Sequence, residues 1–160
     1  MSYFYNYLEK YKDKIVNIYI DMDGVVADYD VIDYAKHKME KDVYLTKRPI
    51  KTSISILKEI SNLVNVKLYI LSVSKKDDQV EGKITWLSQN MPFIKEENIN
   101  IISRESNNMK PSTELKKNFV KEKINNNQIN IIIDDSHQVL DALCSLNMNI
   151  IPMHITSILD

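Results

Sequence analysis

Apolar residues along the chain follow two rhythms that take turns. Five short runs rich in β-branched residues are continuous: IVNIYI (residues 15–20), VKLYIL (66–71), INII (99–102), INIII (129–133) and NIIPM (149–153). Runs of this length and composition predict strands buried on both faces. Between them, apolar positions recur every three or four residues: Ile54, Leu57, Ile60 and Val64; Val80, Ile84, Leu87 and Met91; Leu115, Phe119, Val120 and Ile124; Val139, Leu140, Leu143 and Leu146. That spacing predicts amphipathic helices, the first with Thr52 or Ser53 as its N-cap. Strands alternating with helices imply right-handed crossovers. The expected fold is α/β, a Rossmann-like parallel sheet of about five strands with helices on both faces.

Two segments depart from the alternation. Tyr3, Phe4, Tyr7, Leu8 and Tyr11 predict a helix before the first strand, packed on the domain in preference to a dimer contact. Residues 29–49 form an insertion after the first strand. Val31, Ile32, Ala35 and Met39 give it a helical half, and KDVYLTKRP a polar connection, so a small helical cap is expected. Asn125, Asn126 and Asn127 read as a turn. With no repeat and no linker composition, residues 1–160 read as a single domain.

Composition narrows the function classes. The 21 Lys and Arg nearly cancel 22 Asp and Glu, for a net charge of −1. There is no electrostatic footprint for nucleic acid or a membrane surface, although a local basic patch is compatible with it. A lone cysteine, Cys144, cannot form an internal disulfide and reads as a core residue of a protein in a reducing compartment. No secretory signal or apolar run of about 20 residues is present. A cytoplasmic location is expected, with the oligomeric state open.

Ligands of an open parallel sheet bind beyond the carboxyl ends of its strands. The first strand runs into Asp21, Met22, Asp23 and Gly24, the second into Ser72, Val73 and Ser74, and the fourth into Asp134 and Asp135; Lys110 and Pro111 stand before the helix that leads to the fourth. Four carboxylates gathered on one edge repel each other unless a cation intervenes. Oxygen ligands beside a phosphate site favour Mg²⁺. Asp21 and Asp23, two apart on an extended segment, start on the same side. Gly24, one of only two glycines, lets the chain turn at once and bring backbone N–H groups close to a phosphate. Either Ser72 or Ser74 supplies the hydroxyl, depending on where the strand ends. Asp28 reads equally as a site residue or as the cap of a helix beginning near Tyr29. His137 reads as a helix-start residue and Trp86 as packing. His37 and His154 lack metal-ligand spacing.

In DMDGVVAD, YILS ending in Ser72, Lys110-Pro111 and IIIDDS, in that order over residues 15–136, the chain resembles the four motifs of haloacid dehalogenase (HAD) superfamily phosphatases. The resemblance implies that Asp21 is the nucleophile, forming an aspartyl-phosphate, and that Asp23 protonates the leaving oxygen and then activates water. It implies Mg²⁺ bound by the Asp21 carboxylate, the Asp23 backbone carbonyl and Asp134 or Asp135. Ser72 and Lys110 would hold the phosphoryl group beside Gly24. Lys116 and Lys117 are fallbacks for Lys110, although both lie further into a helix where a solvated face is expected.

The wording DMDGVVAD with KRPIKTSISILKEI is most similar to the 5′(3′)-deoxyribonucleotidase branch, which implies a small phosphorylated substrate, a nucleoside monophosphate first. The short insertion also leaves room for a larger phosphorylated partner. Two readings from other classes stand beside this one. A receiver-like phospho-acceptor module shares the residue types, but it places its acidic pair early, whereas here Asp134-Asp135 comes last. A HAD-like binding protein without turnover is disfavoured by the intact Asp21 and Asp23.

Overall fold

The computed structural model describes residues 3–29 and 40–159. Five parallel strands form one sheet: β1 (Val16–Ile20), β2 (Val66–Ser74), β3 (Ile99–Ser103), β4 (Ile129–Asp134) and β5 (Ile150–His154), in the order β3-β2-β1-β4-β5. The helices are α1 (Tyr3–Lys10), α2 (Lys51–Ile60), α3 (Val80–Asn90), α4 (Ser112–Lys123), α5 (His137–Cys144) and the short α6 (Thr156–Leu159).

The strand order explains how the helices divide between the faces. The chain steps twice in one direction, β1 to β2 to β3, then crosses to β4 and steps on to β5. Right-handed connections place α2 and α3 on one face and α4 and α5 on the other. Alternation along each strand supplies both cores. Ile18, Ile20, Ile131 and Ile133 pack with Leu57, Trp86 and Leu87. Tyr19 and Ile132 pack on the opposite side with Val120, Val139 and Leu143. Helix α1 buries Phe4 and Leu8 in the first core and rests against α6, while Tyr3 stays 61% exposed. The N-terminal helix therefore packs on its own sheet.

Several local expectations shift. Ile50 precedes the first turn of α2 without a side-chain cap, and Ser53 is buried inside the helix. Val64 falls in the turn beyond α2 and is fully exposed. Cys144, expected in the core, is exposed on the last turn of α5. Strand β2 runs three residues past its apolar stretch to Ser74, because Ser72 and Ser74 still pair in register with Ile101 and Ser103 of β3. The helix expected on Val31, Ile32, Ala35 and Met39, and His37 with it, lies outside the described residues.

The second half of the insertion, residues 40–49, is bound to α3 and to the β1 turn. Gln79 Nε2 donates to the Glu40 carbonyl at 3.0 Å, and Trp86 Nε1 donates to the Lys47 carbonyl at 2.8 Å. Ile50 N–H donates to Val26 O at 2.7 Å, and Asp28 N–H to Arg48 O at 2.8 Å. Val43 and Tyr44 are the buried residues of this segment. Trp86→Phe keeps most of the ring volume but leaves the Lys47 carbonyl without its donor. The variant should lose about 1 kcal/mol in urea unfolding at an unchanged slope, the net worth of one hydrogen bond to a part-buried carbonyl.

Candidate active site

The register of the sheet assembles the site. Ile20 pairs with Ile133, and Asp21 N–H donates to Ile133 O at 2.9 Å. The next residue on each strand is an aspartate, so Asp21 and Asp134 leave the sheet side by side. This is the point where the connections from β1 and β4 diverge to opposite faces, the expected crevice for a ligand. Carboxylate oxygens of Asp21, Asp134 and Asp135 all lie within 4.8 Å of one another.

Gly24 makes that convergence sterically possible. After Asp23 the chain turns sharply, with Gly24 N–H donating to Ala27 O at 2.8 Å and Ala27 N–H to Met22 O at 2.9 Å. Gly24 has φ +74°, a left-handed conformation that side chains disfavour. A Cβ on it would run into the carboxylate of Asp135. Glycine here serves two needs, the turn and the room for the third acidic group.

Lysines balance the charge. Lys116, 3% exposed on α4, reaches Asp134 Oδ2 at 2.6 Å and Asp21 Oδ1 at 3.0 Å. Burial would lower its pKa, but Asp21 and Asp134 outweigh that and hold it above its usual value. Lys110, by contrast, does not reach the site. Its side chain is 43% exposed and pairs with Glu114 at 2.7 Å. The reason is local: residues 105–107 form a 3₁₀ turn, and Asn108 and Met109 follow with positive φ, so α4 begins only at Ser112. A side chain one turn into α4 leans back toward the helix start, which aims Lys116 at the strand ends.

Asp23 is held apart from the acidic trio. Its Oδ2 is 2.7 Å from Lys83 Nζ, and its Oδ1 is 2.7 Å from Lys47 Nζ. Burial pushes its carboxyl up, but Lys83 and Lys47 prevail and hold it below the ordinary carboxylate range. Asp134 and Asp135 behave in the opposite way. Burial, then the charge on Asp21, raises Asp134 to about 6, and the same two causes raise Asp135. Lys116 offsets only part of this.

Ser72 and Ser74 take different places. Ser74 lines the cleft, with its hydroxyl donating to Lys76 O at 3.0 Å. Ser72 lies one layer beneath, fully buried, and receives a 2.8 Å bond from Lys83. The cleft itself holds about 420 Å³ and is bordered by Tyr29, Tyr44, Lys75 and Arg104 beyond the acidic groups. Asp28 does not line it; its carboxylate pairs with Arg48 at 2.7 Å. His154 supports the site from behind: Nε2 is 3.2 Å from the Asp135 carbonyl, and its ring stacks on His137 at 4.8 Å. Lys47, Lys83 and His154 were not foreseen as site residues. Lys47 and Lys83 look like solvated charges in the sequence, and His154 sits outside every motif.

Three carboxylates facing one ammonium suit a hard divalent cation. In an octahedral Mg²⁺ site, ligand oxygens sit about 3–4 Å apart, so modest closure of this cluster is enough. Mg²⁺ at about 100 times its dissociation constant should stabilise the fold by about 2.7 kcal/mol, a rise in Tm of about 5–10 °C. Asp135→Asn should lose most of that rise, and an equal rise in the variant would remove Asp135 from the metal site. Gly24→Ala should melt below wild type even without the ion, because its methyl displaces Asp135.

Comparison with known proteins bears on the fold and the family. Compared by sequence with curated proteins, the chain has no significant match. Two chains from structures of the Pnkp1/Rnl/Hen1 RNA repair complex share the fold, each at a TM-score of 0.64 with 16% and 17% identity. They match 89% and 87% of this chain but 43% and 46% of their own length, so the chain spans less than half of either. A HAD family enzyme from Bacteroides thetaiotaomicron aligns over 88% of this chain and 93% of its own, at a TM-score of 0.55 and 14% identity. The profile of the HAD-type family described as the polynucleotide kinase PNKP phosphatase domain matches residues 16–154, from the first residue of β1 to the last of β5. The chain belongs to that family of HAD phosphatase domains.

Proposed function

We propose that the chain is a Mg²⁺-dependent phosphomonoesterase that works through an aspartyl-phosphate on Asp21, with the insertion at about residues 29–49 serving as a small cap. One observation carries the reading most directly. Asp21 stands at the sheet switch point with its carboxylate fixed by Lys116, while Asp23, two residues on, is held separately by its own pair of lysines.

In the first half-reaction an Asp21 oxygen attacks phosphorus and the bond to the leaving oxygen breaks. Asp23 gives that oxygen its proton. In the second, water attacks phosphorus, its proton passes to the Asp23 carboxylate, and the bond to Asp21 breaks to release inorganic phosphate. The two lysines favour the ionised Asp23 needed in the second half, whereas a phosphate dianion arriving beside it favours the protonated acid of the first. Lys116 neutralises charge on Asp21 as phosphate approaches. Ser72 accepts from Lys83 beneath the cleft, and Ser74, which lines it at the end of β2, offers the hydroxyl to a phosphoryl oxygen. Mg²⁺, held by Asp21, the Asp23 carbonyl and the Asp134-Asp135 pair, would supply the remaining positive charge.

A nucleoside monophosphate is the first substrate, supported by the likeness of DMDGVVAD to nucleotidases and by a cleft of about 420 Å³ edged by Tyr29, Lys75 and Arg104. A phosphate at a polynucleotide end is the second reading, favoured by the polynucleotide kinase phosphatase family match. With Mg²⁺ the protein should hydrolyse p-nitrophenyl phosphate, and Asp21→Asn should lower kcat by about 10³-fold or more, as should EDTA. Full activity in Asp21→Asn would rule out the aspartyl-phosphate. Rates on mononucleotides against 3′- and 5′-phosphorylated oligonucleotides decide the substrate: oligonucleotides ranking above deoxynucleoside monophosphates would replace the first reading by the second.

A further inference from the structure

Lys83 is fully buried, yet it lies on α3 away from the sheet's acidic trio. Its ammonium is 2.7 Å from Asp23 Oδ2, 2.8 Å from Ser72 Oγ and 2.8 Å from Val73 O. The Tyr44 ring lies 4.4 Å away, beneath the charge. An ammonium has three N–H donors and accepts nothing. Three acceptors therefore use it completely, and Ser72 has no choice but to accept.

A buried ion pair is weak evidence for stability, because desolvating both charges offsets their attraction. An apolar side chain of similar length would fill the same space. The geometry points instead to a positioning role, resting on the phosphomonoesterase reading: we propose that Lys83 fixes two groups of the site at once, the carboxylate plane of Asp23 and the hydroxyl of Ser72. Lys47 pins only the other oxygen of Asp23, and it does so from the insertion, not from the core. With Lys47 alone, the carboxylate is free to rotate about its terminal torsion, which is broad for aspartate. Lys83 removes that freedom. Helix α3 follows β2 directly, so the strand bearing Ser72 and the lysine that orients it belong to one crossover.

A positioning residue for a proton donor has a signature that a structural lysine lacks. Loss of an aligned general acid hurts poor leaving groups far more than good ones, because a good leaving group departs without its proton. Lys83→Met should lower kcat/KM on a nucleoside monophosphate by about 100-fold, within the usual worth of general acid–base catalysis. Both substrates share the later hydrolysis of the phosphoenzyme, but kcat/KM covers only the steps through leaving-group departure, so the loss of kcat/KM on p-nitrophenyl phosphate should be at least about 10-fold smaller. Lys83→Gln, which retains two N–H donors, provides the same comparison should the methionine variant fold poorly. Equal losses on the two substrates would overturn the proposal. A crystal structure of either variant gives a readout independent of turnover: Asp23 should rotate and Ser72 should find a new partner, and unchanged positions for both would likewise overturn it. A wild-type protein inactive on both phosphates would sink the phosphomonoesterase reading, while that crystallographic comparison still decides the role of Lys83.

Discussion

Charge balance at the carboxyl edge of β1 and β4 is the constraint on which the rest of the site depends. Parallel pairing of Ile20 with Ile133 forces Asp21 and Asp134 together, and Gly24 admits Asp135 beside them. Such a cluster is costly unless cations reach it. Lys116 does so from α4, while Lys83 from α3 and Lys47 from the insertion balance the neighbouring Asp23. The lengths and starting points of those elements matter to the chemistry because they deliver ammonium groups to fixed points. The exposed turn at residues 105–109 is an example. By delaying the start of α4, it brings Lys116 over the strand ends and turns Lys110 out to Glu114.

The insertion is part of the same balance. Residues 40–49 are tied to α3 through Gln79 and Trp86, and Tyr44 lies against both Lys47 and Lys83. A segment that borders the cleft thus also helps to set the charge around Asp23. On the proposed mechanism, substrate access and proton transfer share one structural support, so a change in how this segment packs would bear on both.

Much of this was legible in the sequence, and the gaps have physical causes. The strands were visible because continuous β-branched runs have few other uses, and the acidic groups because they stand where those runs stop. Lys47 and Lys83 were not, and Lys116 stood only as a fallback for Lys110. Lys83 and Lys116 sit on helices whose apolar stripes, Val80-Ile84-Leu87-Met91 and Leu115-Phe119-Val120-Ile124, point attention at other positions. In α3 the buried face is Gly82, Lys83, Trp86 and Leu87, and in α4 it is Leu115, Lys116 and Val120. A lysine on an amphipathic helix reads as solvated, and only the carboxylates it meets in three dimensions reveal otherwise. The same limit separates Ser72 from Ser74: alternation puts both on one side of β2, and only the folded structure shows that Ser72 meets Lys83 while Ser74 borders the cleft.

The two halves of the acidic site are electrostatically distinct, and that distinction follows from the backbone. Asp21 and Asp23 begin on the same side of an extended segment, but the left-handed turn at Gly24 changes what each one faces. Asp21 looks toward β4 and shares its lysine with Asp134, in a group with more negative than positive charge. Asp23 looks toward α3 and the insertion, where two ammonium groups meet a single carboxylate. This division is what the proposed mechanism uses: a cation would go to Asp21 and its neighbours, and Asp23 would be left for proton transfer. On the proposed mechanism, one glycine after two aspartates is enough to separate the nucleophile from the proton carrier, because the two carboxylates meet different partners on either side of the turn.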